Sequence, residues 1–307
     1  MITYNHEKYI GQAIDSIIMQ KVNFNYEIVI GEDCSTDKTR EIILAYKKKF
    51  PDKIKLLLHE KNIGAMQNQL MTLAACKGKY IALCEGDDYW SDPKKLQKQI
   101  DFLESHPDFA ICHHRVLILN EETKEKKLSN DNKKEISDIY DLAKGNYIYT
   151  ASCVYRNQNY EFPEWFYKSP IGDFPLHLLN ARLGKIKYFN DAMCVYRIHD
   201  GGSWECKPRN EMNQKILDYL EILICSDFDD DIKISFIKSY NRVLIDMIKK
   251  YDEFNSINAR ILNFIKIYPE VFASLYITTI NNINPVKTSF IRRVLNRLMN
   301  FFPKFKA

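Results

Sequence analysis

Two short acidic clusters carry the clearest chemistry in this chain. Glu85-Gly86-Asp87-Asp88 follows an apolar run at 80–83, and Glu32-Asp33 follows another at 26–30. Adjacent carboxylates repel one another, which is costly unless a cation or hydrogen-bond donors compensate. Hard oxygen ligands suit Mg²⁺ or Mn²⁺, above all where substrate phosphates complete the shell. The same residue types also cap helices, so Asp87-Asp88 reads equally as an acidic turn before the helix that starts beyond Pro93. Two strand ends bearing carboxylates favour one shared site over two unrelated turns, because ligands of open α/β sheets bind beyond the carboxyl ends of strands. Asp33 has the chemistry to accept a hydrogen bond from a base N–H or a ribose hydroxyl, or to close a turn with Ser35. Tyr4, within Thr3-Tyr4-Asn5, offers a flat face to a nucleobase or is an ordinary surface aromatic.

Other candidates are weaker. The eight cysteines, at 34, 76, 84, 112, 153, 194, 206 and 225, include no C-x-x-C pair, so zinc is not expected. Most of them should be reduced, small and buried. Cys112-His113-His114 could suggest a metal site, but neighbours on a strand face opposite ways. One histidine is expected in the core and one on the surface.

The elements that must position these residues alternate as in an α/β layer fold. Strands are expected at 26–30, 54–58, 80–83, 109–119, 152–155, 186–189 and 193–197. Helices are expected after Ser35-Thr36-Asp37 to about Lys49, over 65–77, after Pro93 and from near Asp173. The polar stretch 120–137 reads as a solvated loop. Residues 210–280 carry helical periodicity, which places a boundary near 205 and divides the chain into 1–205 and 206–307.

At 307 residues, with 46% hydrophobic and 27% charged side chains, the chain has the composition of a folded soluble protein. No apolar run is long enough to span a bilayer, and 1–9 lacks the layout of a signal peptide. A soluble, intracellular chain is expected. The net charge of +4 is concentrated at the end, where 285–307 holds six basic residues and no acidic one. The remainder is mildly acidic, a poor match to a nucleic-acid binder. Ile291, Val294, Leu295, Leu298 and Phe302 share one helical face flanked by Arg292, Arg293 and Arg297. That pattern suits a helix lying on an anionic membrane surface, or a terminal helix packed on the body.

Thr3-Tyr4-Asn5, Gly31-Glu32-Asp33-Cys34-Ser35-Thr36-Asp37, Asn62-Ile63-Gly64 and Glu85-Gly86-Asp87-Asp88 occur in the order and spacing of family 2 glycosyltransferases, which 1–205 resembles. The resemblance implies a GT-A fold, a Rossmann-like mixed sheet flanked by helices, followed here by a helical C-terminal region. It implies transfer of a sugar from a nucleotide diphosphate, with UDP as the default, usually with inversion and with Mn²⁺ or Mg²⁺ as cofactor. Tyr4 then resembles the residue stacking on the base, beside Thr3 and Asn5, and Asp33 the residue holding base or ribose. Asn62 falls in the loop bordering the nucleoside, Asp87 resembles the ribose- or metal-side carboxylate, and Asp88 the metal ligand. Asp173 in Gly172-Asp173-Phe174-Pro175 resembles the catalytic base, and a helix N-cap would show the same residue at the same place. His199 in the run from Tyr196 to Trp204 resembles a histidine near the diphosphate and metal.

An acceptor hydroxyl is a weak nucleophile and needs a carboxylate to take its proton as it attacks. The departing nucleoside diphosphate gains charge that a divalent cation stabilises. The expected enzyme therefore glycosylates a glycan or lipid-linked acceptor, in cell-surface polysaccharide synthesis, in the cytoplasm at the inner face of the membrane. Rival readings are a metal-dependent phosphohydrolase or nucleotidyltransferase, and a sugar-nucleotide-binding partner without catalysis. In the family a full first strand precedes Thr-Tyr-Asn, whereas here Met1-Ile2 stand before it; an upstream apolar stretch of about five or six residues is expected to raise thermal stability.

Overall fold

Parallel strands covered on both faces appear as unbroken apolar runs rather than alternating ones. Ile-Val-Ile-Gly-Glu is such a run, and all five of its residues are buried. The computed structural model describes residues 1–158, 160–170, 172–202 and 208–250. The chain divides into two units, Met1–Pro208 and Arg209–Ala307.

The first unit opens with β1 (Ile2–Thr3), α1 (Ile10–Ile18), β2 (Ile28–Glu32), α2 (Thr39–Lys49), β3 (Ile54–Leu58) and α3 (Ala65–Ala75). The three strands form a parallel sheet in the order β1-β2-β3. A second, seven-stranded sheet is built from β4 (Tyr80–Ala82), β5 (Tyr89–Trp90), β6 (Phe109–Asn120), β7 (Lys126–Leu128), β8 (Ile136–Ser137), β9 (Val154–Arg156) and β10 (Lys185–Ile198). Its main order is β4-β9-β6-β10-β5, with β7 on β6 and β8 on β10. The β6–β10 pair is parallel, whereas β4–β9, β6–β9 and β10–β5 are antiparallel, so the sheet is mixed. Helices α4 (Lys95–Ser105), α5 (Ile139–Leu142), α6 (Glu164–Tyr167) and α7 (Phe174–Ala181) complete the unit. The sheets meet where the Gly86 N–H donates to the Ile2 carbonyl.

Three local expectations differ from what is observed. The two strands expected at 186–189 and 193–197 are one strand, β10, whose register against β6 shifts between Phe189 and Cys194. Asn190 and Asp191 look like a turn locally, but the long partner β6 carries the chain across them as a bulge. Second, the polar segment 120–137 contains β7 and β8, which pair on the edges of β6 and β10. Third, His113 and His114 are both buried, because helices pack against both faces of β6, α7 on the side of His113 and α4 on the side of His114.

Four described cysteines, 84, 112, 153 and 194, are buried, and none of those described forms a disulfide. Beside β1 an apolar cavity of about 410 Å³ separates Ile28 and Val29 of β2 from Tyr80, Ile81 and Ala82 of β4, with Met1 at its wall.

In the second unit, α8 (Arg209–Ile224) and α9 (Asp230–Lys250) pack on one another. Tyr240 donates to Glu221 at 2.8 Å, and Phe228 meets Phe236 edge-on. Among the described residues no helix is long and apolar enough to cross a membrane. The tail at 285–307, the helical pattern beyond 250, and Ser203 and Trp204 lie outside the described residues.

Candidate active site

The carboxyl ends of β1, β2 and β4 meet on one side of the first unit. Asp33 N–H donates to the Thr3 carbonyl, and the backbone of Gly86 joins β1 from the other side. The approach is so close that a Cβ on Gly86 would stand 2.5 Å from Thr3 Oγ1 and 2.8 Å from His6 Nδ1. Only glycine lets the acidic loop lie against β1. Gly31 has the same role on β2, since a Cβ there would strike Asn68 and Thr72 of α3 at 2.1 Å.

The nucleoside-side candidates cluster around this junction. Asn5 takes a left-handed φ of 56°, which asparagine tolerates. Its side-chain Oδ1 accepts the Thr36 N–H at 2.8 Å, and its backbone N–H donates to Ser35 Oγ. Asn5 thus ties the end of β1 to the loop after β2 and leaves the ring of Tyr4 40% exposed. Asp33 is buried, and its two oxygens accept the Ile63 and Gly64 N–H groups at 2.8 and 3.0 Å. Asn62 is exposed and accepts the Gly64 N–H, so Asp33 and Asn62 together shape the loop into α3. Thr3 Oγ1 lies 3.2 Å from His6 Nδ1. Glu32, the other carboxylate of the second cluster, is committed to the Ser35 N–H and to Arg40.

Asp87 and Asp88 go separate ways. Asp87 Oδ2 lies 3.2 Å from His199 Nε2 and 3.5 Å from His6 Nε2. Asp88 is 1% exposed and accepts the Arg197 backbone N–H at 2.9 Å, which locks the loop to β10. The Arg197 guanidinium bonds the Asp87 carbonyl, Gln12 and Glu121 and lies over the rings of Tyr9 and Tyr89. The geometry therefore places Asp87, rather than Asp88, beside His199.

Charge is concentrated here. Burial, reinforced by Asp87, Asp88 and Asp173, pushes the half-buried Glu85 carboxyl well above its usual range. Burial and Asp87 do the same to Asp88. Burial also works against ionisation of Asp87, but its bond with His199 and the nearby His6 outweigh it and hold the carboxyl low. Asp87 Oδ1 and Asp88 Oδ2 are buried without a hydrogen-bond partner among the described residues. Asp87 Oδ1, on the carboxylate that has imidazole beside it, is the kind of donor that Mn²⁺ or Mg²⁺ takes. Among the described residues no three His, Cys, Asp or Glu side chains are arranged to hold an ion by themselves. Donor phosphate oxygens would have to supply the rest of the shell.

Asp173 precedes α7, yet its side chain makes no capping bond to that helix. It instead accepts from Thr150 Oγ1 at 2.7 Å and from Asn146 Nδ2 at 3.2 Å, with His177 Nε2 at 3.6 Å. Burial would raise its carboxyl, but His177 and then Thr150 prevail and hold it below the usual range. Its charge acts on Glu85, as do those of Asp87 and Asp88, which brings it into the same electrostatic cluster. Gly172 approaches Gln69 of α3, whose buried Oε1 has no partner among the described residues. Glu85, His6, Arg197, Thr150 and Asn146 were not singled out from the sequence. Glu85 and His6 lay inside or next to quoted motifs, whereas Thr150 and Asn146 carry no local signal.

Residues 1–162 match the family described as glycosyl transferase family 2. An uncharacterized protein of Mycobacterium tuberculosis is 38% identical over 204 residues, which make up 66% of this chain and 59% of that one. The chain thus spans about three fifths of the length of that curated relative. Among solved structures, S. aureus TarS 1–349 in complex with UDP-GlcNAc superposes with a TM-score of 0.59 at 20% identity, covering 80% of this chain and 71% of that one. The mannosyltransferase PcManGT from Pyrobaculum calidifontis, in complex with GDP-Man and Mn²⁺, gives a TM-score of 0.52 at 12% identity, covering 88% and 80%.

Proposed function

The chain belongs to glycosyl transferase family 2 and has the GT-A fold, and from that premise we propose that it is an inverting, metal-dependent enzyme. It transfers a sugar from a nucleotide diphosphate sugar to a hydroxyl of a glycan or lipid-linked acceptor. The observation that carries this reading is that Asp87, held by its histidines, and Asp173, held by Thr150, both bear electrostatically on Glu85.

Asp173 is the base in this reading. Its lowered carboxyl is ionised at neutral pH and free to accept the acceptor's proton as the hydroxyl oxygen bonds to the anomeric carbon. The bond from that carbon to the diphosphate oxygen breaks in the same step, and the nucleoside diphosphate leaves with the electron pair. Burial and then its acidic neighbours raise the affinity of Glu85 for a proton, and the protonated carboxyl donates to as well as accepts from sugar hydroxyls. Asp87 and His199, completed by donor phosphate oxygens, would hold Mn²⁺ or Mg²⁺, which when bound would neutralise charge on the leaving diphosphate. Tyr4 stacks on the base, and Asp33 and Asn62 keep the loop that borders it in place; Thr3 and Asn5 fix Tyr4.

UDP is the proposed base carrier, a choice supported by the UDP-GlcNAc complex of TarS. A cytoplasmic position at the inner membrane face, and a role in cell-surface polysaccharide synthesis, are supported by the basic amphipathic pattern of 285–307. The deciding experiment is a panel of nucleotide sugars with and without Mn²⁺, scored by release of free nucleotide. Release from one UDP-sugar only with the metal is expected; binding of nucleotide without turnover of any donor would overturn the enzymatic reading.

A further inference from the structure

The carboxylate assigned above as the base has a partner on its own helix. The Asp173 carbonyl accepts the His177 N–H at 2.9 Å, so positions i and i+4 stand on one face. That brings His177 Nε2 to 3.6 Å from Asp173 Oδ2. His177 is fully buried between Leu176 and Leu178, themselves fully buried. An imidazole in such a place needs polar partners. Its Nδ1 faces the Cys153 thiol at 3.9 Å, and its Nε2 has no hydrogen-bond partner among the described residues.

The tautomer follows from the thiol. Burial pushes Cys153 well above its ordinary range, so it keeps its proton and has an S–H to donate to Nδ1. The ring hydrogen then resides on Nε2, directed at Asp173. We propose that His177 is a positioning residue for Asp173: its Nε2–H, set in that tautomer by Cys153, steadies the ionised carboxylate and orients it toward the cleft. The inference rests on the reading of Asp173 as the base.

The other titratable groups that interact with this pair are Glu85, on which Asp173 acts, and His113 of β6, on which His177 acts. Burial, with His177 next, lowers His113 to about 3, so it adds no positive charge at working pH. Burial and acidic neighbours raise Glu85, so it supplies no positive charge either. Neither can replace His177 in holding the Asp173 carboxyl down.

The test compares the pH dependence of kcat in the full chain for His177→Leu and His177→Gln. Glutamine presents an N–H near the position of Nε2, and leucine presents none. The leucine variant should move the acid limb of kcat up by about one pH unit, equivalent to about a tenfold loss below it, with the donor KM unchanged. The glutamine variant should restore most of the wild-type limb. A purely structural role would lower kcat equally at every pH. Superimposable limbs for leucine and wild type, or equal shifts for leucine and glutamine, would overturn the proposal. Should the leucine variant fail to fold, Cys153→Ala serves, since freeing the tautomer should also shift the limb upward, and an unmoved limb refutes it. An Asp173→Asn enzyme with wild-type turnover would remove the base assignment itself; an inactive one with an unmoved His177→Leu limb removes only the role of His177.

Discussion

Asp87 Oδ2 and His199 Nε2 lie 3.2 Å apart across 112 residues of chain, while Asp88, one residue along, turns away to the backbone of β10. In the proposed reading the adjacent carboxylates divide the work. Asp87→Asn and His199→Ala should abolish the rise in melting temperature that Mn²⁺ with UDP gives the wild type, and should cut turnover by about a hundredfold or more. Asp88→Asn should retain most of the rise, because its bond to Arg197 survives in the amide. Thermal melts with Mn²⁺ and UDP check this; loss of the rise only in Asp88→Asn would reverse the assignment.

Glu85 and Asp88 have folded-state affinities for protons above those of the unfolded chain. Between the two values the native state holds more protons, so stability falls as pH rises through that window. Burial lowers His6, His113 and His114, and these groups add stability as pH rises through the ordinary histidine range, so the effect of Asp88 is read as a difference between two proteins. Asp88→Asn should gain melting temperature over the metal-free wild type more at about pH 8 than at about pH 5. Asp87 and Asp173, shifted the other way, contribute stability that is lost only as pH falls below the ordinary carboxylate range. Melting curves of both proteins in a chelator across this interval decide it, and a difference that does not change with pH would contradict the raised Asp88 carboxyl.

Asp173→Asn removes the proton acceptor while preserving the hydrogen-bond shape of the side chain. Transfer should fall by about two to four orders of magnitude, with donor binding retained. A phosphohydrolase using the acidic loop would keep its rate in this variant. Product release measured with and without acceptor separates the two.

Removal of 285–307, with its six basic residues, should release the protein from vesicles rich in anionic lipid and leave donor hydrolysis unchanged. Co-sedimentation with such vesicles, repeated at high salt, checks it; equal binding by the shortened chain would refute the anchor.

Sequence alone determined the local features of this protein. The apolar run 28–30, the acidic residues at its end, the glycine within Glu85-Gly86-Asp87-Asp88 and the start of α7 after Asp173 are legible because each depends on a few consecutive residues. Four motifs in order also revealed the family. Tertiary structure alone decided which atoms of these motifs meet. Asp87 and Asp88 are indistinguishable as residue types, and only the pairing of the loop with β10 turns one to His199 and the other to Arg197. His113 and His114 alternate along β6 as strand geometry requires, yet both are buried because strands and helices cover both faces. Asp173 has the position of a helix cap, and Thr150 and Asn146, brought up by a different segment, draw its side chain away from the helix. Local propensity acts over one or two turns of chain, whereas the carboxylate environments depend on groups from 23 to 112 residues apart, which only the packed fold brings together.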